Sequence, residues 1–268
     1  MSRTGNLQLL KAHSAEEDRA AERPLRFERI DGDEAFLRVA VLDTSCLTDG
    51  AIAAMSSSLD EQKKSVAASI RSAPHRGDFI AAHFLLRRVL EDSLGIPRKL
   101  WTIDATEMGK PVVASPAAMS KLRISLSHTR GLVAAGVARG YELGVDVERT
   151  STDATRLAIS DRFFAPDEAC YLRGLDPGAA LNEFTALWTL KEAFAKAIGK
   201  GFGQPFHSFS FTLSEPPSIT FFDPALGDPD VWRFWRAPYG RFHLALAYAP
   251  KDMAAPRAPV EVLWWKQS

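Results

Sequence analysis

The chain has 268 residues, enough for one large domain or two intimately packed ones. Apolar residues make up 46% and charged residues 25%, a soluble globular composition rather than that of a disordered or fibrous chain. Lysine plus arginine and aspartate plus glutamate each number 33, so a net charge of zero offers no global field for nucleic acid or an anionic membrane, and any anion site must be local. Cys46 and Cys170 form no C-x-x-C pair, which argues against a zinc ribbon or a redox dithiol and suits a reducing cytoplasm. No run approaches the ~18 apolar residues of a membrane span. Residues 1–34 are dense in charge, lack the apolar core of a signal peptide, and read as a flexible, solvated extension.

In chain order, A-F-L-R-V-A-V-L at 35–42 reads as a buried or half-buried strand bounded by aspartates. The stretch 78–94 predicts a helix with Asp78 as its cap, Phe79, Leu86 and Leu90 on one apolar face, and Gly95 and Pro97 as its stop. Residues 101–148 alternate short apolar runs with glycine turns and predict a β region. Helices are expected over 163–172 and 182–198, the latter capped by Asn182 and ended by Gly199. Nine of the sixteen prolines lie between Pro205 and Pro259, where short strands at 208–213, 218–222 and 242–249 survive and long helices do not. R-G-L-V-A-A-G-V-A at 130–138 and Y-G-R-F-H-L-A-L-A at 239–247 share a pattern, an apolar strand after a basic turn. This echo, with the order helix, strands, helix, strands, suggests an α+β chain of two similar halves.

Three segments carry candidate chemistry. In G-V-D-V-E at 144–148 a strand would put Asp146 and Glu148 on one face and Val145 and Val147 on the other. Two carboxylates ~7 Å apart repel unless a cation joins them; a solvent-facing strand end with two ordinary acids fits the same pattern. In W-T-L-K-E-A-F-A-K at 188–196, Trp188, Glu192 and Lys196 share one helical flank at the edge of the apolar stripe, where a simple exposed ion pair also fits. Together the segments offer three carboxylates and a lysine, a hard oxygen set suited to Mg²⁺ beside a phosphate. In I-S-L-S-H-T at 124–129, Ser127 and His128 suit hydrogen bonds to a phosphate or nucleotide, with a structural histidine as the other reading. The absence of G-x-S-x-G argues against a hydrolase elbow. Lys110 in G-K-P adds a further phosphate contact or only a tight turn. Lys63, Lys64, Arg71, His75 and Arg76 form a solvated basic segment that, beside a phosphate cleft, would act as a clamp. The glycines at 199, 201 and 203 imitate part of a dinucleotide loop but follow a helix, and read as its terminator.

In this order, G-K-P at 109–111, S-L-S-H-T at 125–129, G-V-D-V-E at 144–148 and W-T-L-K-E-A-F-A-K at 188–196 resemble 4′-phosphopantetheinyl transferases of the surfactin-synthetase-activating type. R-F-F at 162–164 with Glu168, and F-I-A-A-H-F-L-L-R at 79–87, resemble that family's intervening motifs, and the likeness spans roughly residues 35–250. The resemblance implies an α+β fold of two similar subdomains, 35–143 and 144–250, related by a pseudo-twofold axis with coenzyme A in the cleft between them. Residues 1–34 would be an extension and 251–268 a C-terminal tail. It further implies Asp146, Glu148 and Glu192 as ligands of Mg²⁺, with Asp146 also on the coenzyme side, and Lys196 as the contact to the transferred phosphate. Ser127, His128 and Lys110 resemble coenzyme A contacts, and Lys63 and Arg76 fall near the basic 3′-phosphate contacts. His83 stands where many members carry arginine.

The activity so implied is Mg²⁺-dependent transfer of phosphopantetheine from coenzyme A to a serine of an acyl or peptidyl carrier protein, releasing 3′,5′-adenosine bisphosphate. Glu192 would be the general base, with Lys196 and His128 stabilising phosphate charge. A cytoplasmic monomer with no nucleic-acid or membrane partner is expected. The alternative is a non-catalytic module that binds coenzyme A or a nucleotide and docks a protein partner; metal-dependent phosphohydrolysis is a third possibility.

Overall fold

Two 22-residue helices, each ended by a glycine in the left-handed conformation (Gly95, φ 68°; Gly199, φ 74°), organise the chain. The computed structural model describes residues 7–9, 27–30, 32–253 and 258–265. In chain order the elements are β1 (Leu7–Leu9), β2 (Phe36–Asp43), α1 (Asp49–Ser56), α2 (Glu61–Ser69), α3 (Ala73–Leu94), β3 (Thr102–Ala105), β4 (Pro111–Ser115), β5 (Arg123–Thr129), β6 (Leu132–Arg139) and β7 (Tyr141–Arg149). There follow α4 (Leu157–Phe163), α5 (Pro166–Arg173), α6 (Pro177–Ile198), β8 (Phe209–Thr212), β9 (Ser218–Phe221), β10 (Arg233–Tyr239), β11 (Phe242–Pro250) and β12 (Val260–Trp265). The α+β class expected from the sequence is the class observed.

The chain divides into two compact units. The first comprises Met1–Thr106, Pro111–Tyr141 and Ala254–Ser268. Its five-stranded sheet has the order β1-β12-β2-β6-β5, with β12 parallel to β2 and the β2/β6 and β5/β6 pairs antiparallel. α3 packs on β6, β5 and β2, burying Leu85, Leu86, Val89 and Leu90 against Ala40, Leu42, Val133, Ala135 and Val137. Each fully buried leucine or valine of this kind contributes roughly 1.5–3 kcal/mol. Seven successive residues of β2 are buried, so both faces of the strand are covered, which explains its unbroken apolar run.

The second unit comprises Glu107–Lys110 and Glu142–Met253. Its three-stranded sheet has the order β10-β11-β7, and α6 packs on β11, β10 and β8. Phe184, Leu187, Leu190 and Phe194 of α6 meet Phe209, Phe211, Phe234, Ala245 and Ala247.

Several boundaries differ from the sequence reading. α3 starts earlier, capped by Ser72 with Pro74 in its first turn; Asp78 is buried inside the helix and accepts a hydrogen bond from the Thr44 hydroxyl. α6 is capped by Asp176 and carries Pro177 at its start, whereas the Asn182 amide oxygen meets Nε2 of His243 at 3.0 Å. The helix expected over 163–172 is two helices, because Pro166 opens α5 and leaves Phe164 extended. Within the stretch expected as a C-terminal tail, V-E-V-L-W-W forms β12, where Glu261 pairs with the buried Arg38 at 3.1 Å. β1, inside the expected extension, runs parallel to β12, and most of residues 1–34 lie outside the described set.

Candidate active site

In the second unit, β7 and α6 bring the acidic motif and the helical motif together because Gly144 has no side chain. A Cβ at that position would stand 1.8 Å from the Ala193 carbonyl oxygen and 2.5 Å from the Ala197 nitrogen, so only glycine lets the helix backbone lie this close to the strand. Two residues further on, Asp146 is buried and its Oδ1 accepts from Lys196 Nζ at 2.6 Å; the same ammonium donates to the Val145 carbonyl at 3.3 Å. Val145 and Val147 are fully buried on the other face, as the strand alternation requires.

Glu148 and Glu192 complete the group. Burial, reinforced by the negative charge of Asp146, pushes both carboxyls up to about 7; Lys196 opposes this at both, and Arg156 opposes it at Glu148. Glu192 Oε1 is buried with no hydrogen-bond partner among the described residues. One lysine does not neutralise three carboxylates, so the donor set has the charge and the hard oxygen chemistry that a divalent cation satisfies. Among the described residues no three acids, histidines or cysteines are already drawn into a ready ligand cluster.

Lys191 and Glu192 are neighbours with opposite fates. Lys191 is fully buried, donating to the carbonyls of Phe206 and Phe209, each at 2.8 Å, and to Glu168 Oε2 at 2.7 Å. Glu168 in turn accepts from the backbone of Phe211 at 2.8 Å and Ala165 at 3.0 Å. This knot ties α5, α6 and β8 together, a role for Lys191 that no local sequence signal announces.

Lys110 also belongs to this unit. Its Nζ donates to the Ala197 carbonyl at 2.7 Å and lies 3.6 Å from Glu142, so it caps the C-terminal end of α6, where a cation is favourable.

The remaining sequence-predicted residues lie in the first unit. Ser127 and His128 are successive on β5 and so face opposite sides; Ser127 is buried and His128 half-buried, edge-on to His75 at 5.5 Å and Phe79 at 6.4 Å. Lys63 is in the first turn of α2, half-buried, its backbone N–H bound to the Asp60 cap at 2.8 Å. Arg76 is half-buried in α3 and donates to the Ile70 carbonyl at 3.1 Å. The nine candidates thus form two sets: Lys110, Asp146, Glu148, Glu192 and Lys196 in one unit, Lys63, Arg76, Ser127 and His128 in the other. His83, close to Lys63 and His128, lies on the flank of α3 that also carries His75, Phe79 and Arg87 at four-residue spacing.

The resemblance read from the motifs is borne out. Residues 142–247 match the model of the 4′-phosphopantetheinyl transferase superfamily, a span that contains α6, all but the first residue of β7, and Asp146, Glu148, Glu192 and Lys196. The chain is 33% identical over 127 residues to the 4′-phosphopantetheinyl transferase HetI of Nostoc sp., covering 47% of this chain and 54% of that protein. It is 28% identical to a 4′-phosphopantetheinyl transferase of Bacillus subtilis over 63% of this chain and 72% of that one. The crystal structure of holo-[acyl-carrier-protein] synthase from Neisseria meningitidis aligns with 41% of this chain and 98% of its own at 21% identity, with a TM-score of 0.32. The chain spans about half the length of the first curated relatives it matches. No helix among the described residues is long and apolar enough to cross a membrane.

Proposed function

We propose that this protein is a 4′-phosphopantetheinyl transferase that moves phosphopantetheine from coenzyme A to a serine of an acyl or peptidyl carrier protein. The observation that carries the reading is the meeting of Asp146, Glu148, Glu192 and Lys196 within the segment that matches the superfamily model. The serine oxygen attacks the β-phosphorus of coenzyme A; a serine O–P bond forms, the P–O bond to the bridging oxygen breaks, and 3′,5′-adenosine bisphosphate leaves.

Asp146, Glu148 and Glu192 are the residues that would hold Mg²⁺, which when bound supplies neutralisation of diphosphate charge. Glu192 takes the serine proton: its Oε1 has no hydrogen-bond partner among the described residues and so has a lone pair to accept one. Lys196, anchored by Asp146 and the Val145 carbonyl, is positioned to meet negative charge on the transferred phosphoryl group. Lys63, Arg76 and His128 bind the phosphates of the coenzyme, and Lys110 acts by fixing the end of the helix that bears Lys196.

The test is intact-mass analysis of a panel of apo carrier proteins incubated with the protein, coenzyme A and Mg²⁺. A phosphopantetheine mass increment on at least one carrier is expected. No increment on any carrier, with coenzyme binding verified by calorimetry, would leave a binding module in place of an enzyme.

A further inference from the structure

Lys191 uses all three donors of its ammonium inside the protein, on the Phe206 and Phe209 carbonyls and on Glu168 Oε2. Glu168 is engaged at both oxygens as well, accepting from the backbone N–H groups of Ala165 and Phe211. These bonds are directional and reach the turn at 206–208, β8 and the start of α5, so they fix where one side of α6 stands. At about 100° per residue, Ala193 lies ~200° round the helix from Lys191. On that opposite side β7 makes its close approach, with Gly144 against the Ala193 carbonyl and the Ala197 nitrogen.

Glu192 falls between the two anchors, about 100° from each. Its Oε1 has no hydrogen-bond partner among the described residues, so the setting of the helix governs where that oxygen stands. With side chains reaching ~5–6 Å from the helix axis, a turn of about 10° carries the carboxylate ~1 Å, and Lys196, about 40° away on the same flank, moves with it. An error of that size is worth about 10²-fold in rate. The apolar contacts of Phe184, Leu187, Leu190 and Phe194 hold the helix to its sheet but are not directional, which leaves its rotation to the hydrogen-bonded anchor.

The first unit carries the same device. Eight residues before the glycine that ends each long helix stands a buried cation: Arg87 before Gly95, 1% exposed, and Lys191 before Gly199, 0% exposed. Each is held by a carboxylate from a preceding helix, Asp60 at the cap of α2 and Glu168 in the first turn of α5. The next position and the one four further on are Arg88 and Asp92 in α3, an ion pair at 3.0 Å, but Glu192 and Lys196 in α6. The anchor sets both helices; in the second unit the positions it sets carry the acidic group's own members.

We propose that Lys191 is a positioning residue for transfer: clamped by Glu168 and the Phe206 and Phe209 carbonyls, it fixes the rotation of α6 and so the placing of Glu192 and Lys196 against Asp146. The inference rests on the transferase reading and adds to it a residue that touches neither substrate nor metal.

The variant Lys191→Met/Glu168→Gln, which removes both charges and nearly keeps both volumes, tests it beside Lys191→Met. Single-turnover transfer at saturating coenzyme A and Mg²⁺ is measured well below each melting transition, and Mn²⁺ affinity is read by electron paramagnetic resonance without coenzyme or carrier. Both are expected to fall roughly 10- to 100-fold in the double variant, although it regains stability over Lys191→Met. Lys191→Arg, which keeps a charged donor, should retain more of both and provides the measurement if the other variants do not fold. Loss of either quantity in a folded variant supports positioning. Wild-type rate and wild-type Mn²⁺ affinity together overturn it and leave the transferase reading intact. Absence of transfer by the wild-type protein overturns that reading instead, and the Mn²⁺ arm then still decides whether Lys191 places the carboxylates.

Discussion

The carboxylate of Glu168 and the ammonium of Lys191 form an ion pair at 2.7 Å with side-chain exposures of 1% and 0%. The rings of Phe164, Phe206 and Phe209 stand 5.2, 5.9 and 4.3 Å from the same ammonium. Burial raises the Glu168 carboxyl and lowers the Lys191 amine to about 8, so desolvation outweighs the mutual attraction at each partner. Lys191→Met or Glu168→Gln alone leaves one buried group without its counter-charge and should cost about 3–5 kcal/mol. The double variant should recover part of that loss. Urea denaturation of the four proteins checks this; single variants of wild-type stability would show that the pair carries no structural weight.

Gly144→Ala should displace β7 from α6, because the new methyl would stand 1.8 Å from the Ala193 carbonyl oxygen. Overpacking of this kind typically costs about 1–3 kcal/mol. The strand also carries Asp146 and Glu148, so transfer should fall more steeply than the melting temperature indicates. Rates measured well below the melting transition separate the two effects.

Glu148 and Glu192 predict a specific dependence of stability on pH. Their folded-state pKa of about 7 lies above the ordinary 4.5. The stability they contribute relative to the unfolded chain is therefore fully present below pH 4.5 and lost as the pH rises through about 7. With chelator present, the melting temperature should fall across this window, by roughly 4–8 °C if about 2 kcal/mol is realised. Mg²⁺ should offset the fall, and a Glu148→Gln/Glu192→Gln double variant should flatten the profile. A wild-type profile insensitive both to pH and to Mg²⁺ would count against this acidic group as a metal site.

Glu192→Gln should separate binding from chemistry. Glutamine keeps the size and one acceptor oxygen but neither the charge nor the basicity, so single-turnover transfer should drop ~10²–10⁴-fold while coenzyme A affinity changes little. Mg²⁺ is titrated in the same experiment. Recovery of the wild-type rate at saturating Mg²⁺ would reduce Glu192 to a ligand and move the base to another group.

Lys110→Met should act through the helix end. Loss of the bond to the Ala197 carbonyl removes a charge-assisted cap near Lys196, a change expected to cost about 0.5–2 kcal/mol of stability. A direct phosphate contact would instead weaken coenzyme A binding with stability unchanged, so paired melting and calorimetry tell the two roles apart.

The strand and helix patterns and the acidic pairings are legible along the chain. Strand alternation fixed Asp146 and Glu148 to one face with Val145 and Val147 opposite, and helical spacing put Glu192 and Lys196 on one flank. Gly95 and Gly199 end their helices as expected, because glycine enters the left-handed region without a Cβ clash. Helix starts were less legible: Ser72 and Asp176 displaced Asp78 and Asn182 as caps because those two residues found partners in Thr44 and His243, far away in the chain. The membership of Val260–Trp265 in the first sheet depended on pairing with β2 more than two hundred residues earlier, which no local signal encodes. The partners of the lysines come from packing. Lys196 and Lys191 lie five residues apart on one helix, yet one reaches the acidic group and the other a buried glutamate, while Lys110 turns to a helix end. A lysine's charge is read from sequence, but the partner that makes its burial tolerable is supplied by whichever element the fold packs beside it.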